Sequence, residues 1–253
     1  MSVPGEGVVQ MRKRTVLVGL VSFAVVGAVL TSGTAAASGE RTYRVRIVNL
    51  TDGQPLTPPV LVTHRSGFDL FSVGDLASVG VMQVAENGNV PNLVSSLDQA
   101  MGVTNVVLGT EPLVPAGLPG SASHPDRATF TVEASRHARF LSYVSMLVCT
   151  NDGFTGIDRV RLPDDVGDTM VLVANGYDAG TEVNTEDFAD IVPPCQSLVG
   201  VTGSDPGTGV SDPSLLEGGV IHHHPGISGD ADLVASVHGW DDPVVRIRIT
   251  RVD

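Results

Sequence analysis

Residues 42–49 read TYRVRIVN, and residues 244–252 read VVRIRITRV. In the first stretch Tyr43, Val45 and Ile47 alternate with Arg44 and Arg46; in the second Val245, Ile247 and Ile249 alternate with Arg246 and Arg248. A period of two puts the apolar side chains on one face of a strand and the arginines on the other. Both stretches therefore read as half-buried β-strands, and the two are expected to pair. Between them, Val60–His64, Ala128–Ala134, Arg139–Val148 and Thr169–Tyr177 also read as strands. Ser135-Arg136-His137 reads as the turn of a hairpin. Arg65–Gly80 reads as a packed loop, and Pro112–Pro125 and Cys195–Asp212 as loops. Asn92–Met101, with Leu93, Leu97 and Ala100 at helical spacing, is the best helix. No repeat and no internal boundary is visible. The expected fold is an all-β antiparallel sandwich over residues 38–253, with long loops and at most one or two short helices.

Composition agrees. The chain has 253 residues, with 29 Gly and 16 Pro, 42% hydrophobic and only 4% aromatic residues. That is too turn-rich for a helical bundle and too apolar for a disordered chain. The formal charge of −13 argues against nucleic acid as a partner. Beyond residue 37 there are 12 Arg, 27 Asp plus Glu and no Lys. An acidic surface without lysine resembles that of proteins from extreme halophiles, where molar salt screens self-repulsion.

Residues 1–37 read as a signal peptide. Arg12-Lys13-Arg14 is a positive start, Val16–Leu30 an apolar run, and Ala35-Ala36-Ala37 a small-residue cleavage site. The natural start of this leader is Met11. The apolar run falls short of the ~20 residues that span a bilayer comfortably. The protein is therefore expected to be secreted or held at the cell surface, touching a membrane only through an uncleaved leader. The two cysteines, Cys149 and Cys195, suit an oxidising compartment and are expected to form a disulfide. Asn49-Leu50-Thr51 is a glycosylation sequon, which makes Asn49 a candidate acceptor.

Two acidic stretches carry a resemblance. Ser145–Gly156 reads SMLVCTNDGFTG, and Tyr177–Glu182 reads YDAGTE. Together they resemble the spondin domain family, in which a strand S-M-I/L-V runs into a loop P-S-P-D-W-F-V-G, followed by D-A-G-T-D. The resemblance extends from about Tyr43 to Val252 and includes the late stretch VIHHHPGISG. It implies a β-sandwich related to C2 domains, with Ca²⁺ held by loops at one end. It also implies that Asp152, Asp178 and Glu182 are the metal-binding acids. The chemistry fits, because Ca²⁺ takes six to eight hard oxygen ligands from bent loops. Departures are Glu182 for the family's aspartate, Gly153 for its tryptophan, and Cys149 and Asn151 for its prolines.

Other clusters compete for attention. His222-His223-His224 is a candidate secondary metal site, although neighbouring residues of a strand face opposite ways. Asp164, Asp165, Asp168, Glu186, Asp187 and Asp190 form a diffuse acidic region that could hold a second cation. Arg44, Arg46, Arg246 and Arg248 form a candidate anion-binding stripe if the end strands pair. Motifs of hydrolases, zinc proteases and nucleotide binders are missing from the sequence. The expected function is thus a non-enzymatic, calcium-binding interaction or adhesion module. Its partner would be a protein or an anionic polysaccharide at the cell surface. The rival readings are a metal-dependent hydrolase using His222–His224, and a structural envelope protein without a ligand.

Overall fold

The alternating segments at the two ends do pair. The computed structural model describes residues 39–253, so the expected leader over residues 1–37, with its start at Met11, lies outside the described residues. In chain order the strands are β1 (Glu40–Asn49), β2 (Val60–His64), β3 (Val103–Leu108), β4 (Arg127–Ser135) and β5 (Phe140–Met146). They continue with β6 (Gly153–Arg161), β7 (Thr169–Ala174), β8 (Gly176–Asp178), β9 (His222–His223) and β10 (Val245–Arg251). The helices are α1 (Val79–Asn87), α2 (Pro91–Gln99), α3 (Pro194–Val199) and α4 (Ala235–His238). One sheet runs β4-β1-β10-β7 and the other β3-β2-β5-β6-β8-β9, with every strand pair antiparallel.

Between the sheets, Tyr43, Val45 and Ile47 of β1 meet Leu61 of β2 and Leu141 and Tyr143 of β5. The six-stranded sheet is covered on its other face too. There Val60, Val62 and Val144 pack on Val81 and Val84 of α1 and on Leu93 and Leu97 of α2. This explains why every residue of β2 is buried: it is sandwiched, so its sequence VLVTH shows no alternation. A third apolar cluster surrounds the Cys149–Cys195 disulfide, whose Cα atoms are 5.1 Å apart.

Several details differ from the reading of the sequence. β4 and β5 are not a hairpin: β4 pairs with β1, and β5 pairs with β2 and β6. The turn at Arg136-His137 therefore carries the chain from one sheet to the other. The expected single strand over Thr169–Tyr177 breaks at Asn175, with β7 in the four-stranded sheet and β8 in the six-stranded one. Helix is more plentiful than one or two short pieces. α1 follows the expected packed loop, with Ser78 as N-cap, its hydroxyl accepting from Val81 N–H, and Gly88 at φ 62° as C-cap. α3 opens the expected loop after Cys195. β3 and β6 are strands where none was expected. Among the described residues no helix is long and apolar enough to cross a membrane.

Candidate metal site

The turn between β5 and β6 ends at Asp152, and the strand β8 ends at Asp178. Gly153 at the start of β6 pairs with Asp178, so the two acids lie at one end of adjacent strands. The turn is fixed by Thr150, whose hydroxyl donates to Leu147 C=O (2.7 Å) and accepts from Gly153 N–H (2.9 Å). After β8 the chain folds over Asp152. Its Oδ2 accepts from Thr181 N–H (2.7 Å), Thr181 Oγ1 (3.1 Å) and Glu182 N–H (3.0 Å). The other oxygen, Oδ1, is buried and has no hydrogen-bond partner. Asp178 Oδ1 accepts from Gly180 N–H and its Oδ2 from Asn184 Nδ2, both at 2.7 Å. Gly180 sits at φ 69°, and a Cβ there would lie 2.6 Å from the Val220 nitrogen. Only glycine can make this turn without displacing the Val220 backbone.

Both carboxylates are completely buried. Burial, and then the charge of Asp178, push the Asp152 carboxyl up to about 6. One oxygen each from Asp152, Asp178 and Glu217 lies within 4.8 Å of the others. Glu217 reaches the pair because its N–H donates to Thr181 C=O (3.2 Å), while Gly219 N–H donates to Gly180 C=O (2.8 Å). Glu182, expected as the third acid, is not in this set. Its backbone N–H supports Asp152, but its carboxylate turns to accept from Asp212 N–H at 3.1 Å. Burial, and then the backbone bond and neighbouring acids led by Glu86, leave that carboxyl at about 7.

The family model of the spondin N-terminal domain matches residues 56–189, over half of the chain and a span that includes Asp152 and Asp178. The chain belongs to this family. Spondin N-terminal domains are extracellular interaction domains without enzymatic activity. A segment is also 34% identical over 110 residues to interleukin-12 receptor subunit beta-1 of Mus musculus, covering 39% of this chain and 15% of the receptor subunit. The chain thus spans well under two thirds of that relative's length.

The spondin domain places the remaining expected residues as follows. His222 pairs with Asp178 across β8 and β9, and its Nδ1 lies 3.8 Å from Asp178 Oδ1. His223 lies beside the Tyr177 ring (5.3 Å between centroids), and His224 is buried beside Trp240 (5.0 Å). The three histidines diverge and do not form a ligand set, as the period of a strand requires. Asn49 is buried, and its Nδ2 donates to Gln54 C=O (2.8 Å) and Leu113 C=O (3.0 Å). Its amide is a brace for the β1 end, which corrects the expectation of a glycan there. Four of the diffuse acids have structural partners, Asp187 and Asp190 through Ala189 N–H and the Thr185 hydroxyl. Asp164 pairs with Arg41, Arg139 and Arg161, and Glu186 accepts from Ser228, Gly229 and Asp230 N–H groups. Arg44, Arg46, Arg246 and Arg248 all lie exposed on β1 and β10.

Proposed function

We propose that this spondin domain is an exported interaction module that holds Ca²⁺ between Asp152, Asp178 and Glu217. The observation that carries the reading is the bare Oδ1 of Asp152, a buried carboxylate oxygen with no donor, on a residue that brings an oxygen within 4.8 Å of oxygens of two further acids. A buried carboxylate oxygen left without a donor is costly, and a cation satisfies it. All three groups offer hard oxygen, which suits Ca²⁺ better than a nitrogen- or sulfur-seeking ion such as Zn²⁺. Backbone carbonyls and water would complete the shell. Calcium would then fasten the loop after β8 to the loop before β9. Those loops would form the contact surface for a protein at the cell surface, a partner class in keeping with the similarity to a receptor subunit. The acidic, lysine-free composition supports an origin in a high-salt environment.

The test is thermal unfolding in high salt, with saturating Ca²⁺, with Mg²⁺ and with chelator, for the protein and for Asp178→Asn. At 100 times its dissociation constant, Ca²⁺ should add about 2.7 kcal/mol. A Ca²⁺-specific rise that Asp178→Asn abolishes is expected. Equal melting in all three solutions would remove calcium from the account.

A further inference from the structure

The outer face of the four-stranded sheet carries positive charge on an acidic protein. The register sets Arg46 directly opposite Arg248. Arg44 stands two residues along β1 and Arg246 two residues along β10, on the same exposed face. The flanking strands bring Thr129 and Thr131 of β4, and Val171 and Val173 of β7, level with these arginines. Glu133 of β4 stands at one edge of this face, opposite Thr42, and Asp126, paired with Arg127 at the other edge, lies near enough to Arg46 to feel its charge.

Among the described residues, none of Arg44, Arg46, Arg246 and Arg248 makes an ion pair. Their strand neighbours behave differently. Arg41 pairs with Asp164 (3.3 Å), and Arg251 donates from Nε to Asp253 C=O (2.5 Å) and from Nη1 to Asp164 C=O. The nearest carboxylate to the row, Asp126, is paired with Arg127 and reaches Arg46 only at longer range. Like charges directly opposite one another destabilise a sheet, so Arg46 and Arg248 are held together at a cost. A bound anion removes that cost.

We propose that this arginine face binds a linear anionic polysaccharide through its sulfate or carboxylate groups. Guanidinium forks match planar or tetrahedral oxyanions bidentately. Arg46, Arg246 and Arg248, with Val48, line a concavity of about 270 Å³, room for one anionic group with part of its sugar. Arg44 lies outside it and extends the track along β1. Same-face residues of a strand are about 6.5–7 Å apart and cross-strand neighbours about 5 Å. Charges at that spacing suit a chain whose anionic groups repeat, better than a compact single anion. A membrane surface fits less well, because the face projects threonines and valines and no aromatic or long apolar side chain.

The experiment uses the whole protein and immobilised heparin or alginate, with neutral dextran as control, over a series of salt concentrations. The wild-type protein should bind both polyanions, more weakly as salt rises, and equally with Ca²⁺ or chelator. Arg46→Gln/Arg248→Gln should weaken binding at least about tenfold, the worth of one charged hydrogen bond. Its melting temperature should equal or exceed that of wild type, which separates lost binding from misfolding. Arg65→Gln/Arg136→Gln, with the same net charge but off this face, should bind as wild type. No binding at low salt, an equal loss in the off-face variant, or binding to phosphatidylserine vesicles but to neither polyanion would each overturn the proposal.

Discussion

Replacing Asp152 with asparagine should stabilise the calcium-free protein and abolish its response to calcium. The magnitude follows from the carboxyl itself. It sits at about 6 in the fold against an ordinary 3.8. A difference of about two units corresponds to about 3 kcal/mol between the charged and neutral forms at pH 7. The hydrogen bonds from Thr181 and Glu182 to Oδ2 are already included in that difference, since they favour the charged form. Asparagine keeps an acceptor for both N–H groups and brings no charge. Without calcium at pH 7.5, Asp152→Asn should therefore gain up to about 3 kcal/mol, roughly 6–12 °C in melting temperature for a domain of this size.

The sign also fixes a pH dependence. The folded carboxyl binds its proton more tightly than the unfolded one. The penalty is full above about pH 6, fades as pH falls, and is gone below about pH 4. The advantage of the variant should vanish over the same interval. In saturating calcium the order should reverse, because only the wild-type protein gains the binding energy. Scanning calorimetry of both proteins, with chelator and with Ca²⁺, at pH 7.5 and pH 4, provides the comparison. A variant that melts below wild type in chelator at pH 7.5 would refute the argument, as would one that keeps the calcium shift.

Three further changes have outcomes set by the geometry. Cys149→Ala/Cys195→Ala opens a loop of 46 residues and should cost about 4 kcal/mol by chain entropy, read as a lower urea midpoint. Gly180→Ala forces a left-handed alanine and a Cβ against the Val220 backbone; a loss of at least about 2 kcal/mol is expected, together with weaker calcium binding by calorimetry. His224 is held neutral by burial, at about 4, so the wild-type fold should lose up to about 3 kcal/mol between pH 6.5 and 4 as the unfolded chain takes up the proton. The difference between wild-type and His224→Gln melting curves over that interval isolates this loss, and a flat difference would contradict it.

The sandwich was legible where a strand has one wet face. β1 and β10 alternate cleanly because Arg44, Arg46, Arg246 and Arg248 meet solvent while Val45 and Ile247 meet the core. β6 was not legible because Gly153 and Gly156 interrupt its pattern. Both are close-approach positions: a Cβ on Gly156 would lie 2.3 Å from Tyr143 C=O, and one on Gly153 2.4 Å from Thr150 Oγ1. α1 was hidden for a related reason. Gly80 reads as a breaker, yet it lets α2 approach to where a Cβ would be 2.9 Å from Leu93 Cα. The false hairpin arose because a short turn between strands fits either one sheet or a passage between two. Which of these it is depends on β1 and β2, far away in sequence.

The candidate metal site divides along the same line. Asp152 and Asp178 each stand beside a local signal, a turn ending in glycine and an Asp-Ala-Gly-Thr bend, and the structure brings them together. Glu217 carries no such signal. It lies 35 residues beyond Glu182, and the backbone bonds that join residues 180–183 to 215–219, Gly219 N–H to Gly180 C=O among them, lay it against the pair. Glu182 is the reverse case, a residue that its motif places beside the pair but whose side chain turns away from it. Its longer arm lets the carboxylate leave the pair and cap Asp212 N–H, while the backbone N–H does the holding. Shortening that arm tests the explanation. Glu182→Asp should lose the bond to Asp212 and bring a carboxylate back toward Asp152. Calcium affinity by calorimetric titration should then rise, whereas an unchanged affinity would mean that the turn, rather than the arm, keeps residue 182 out of the site.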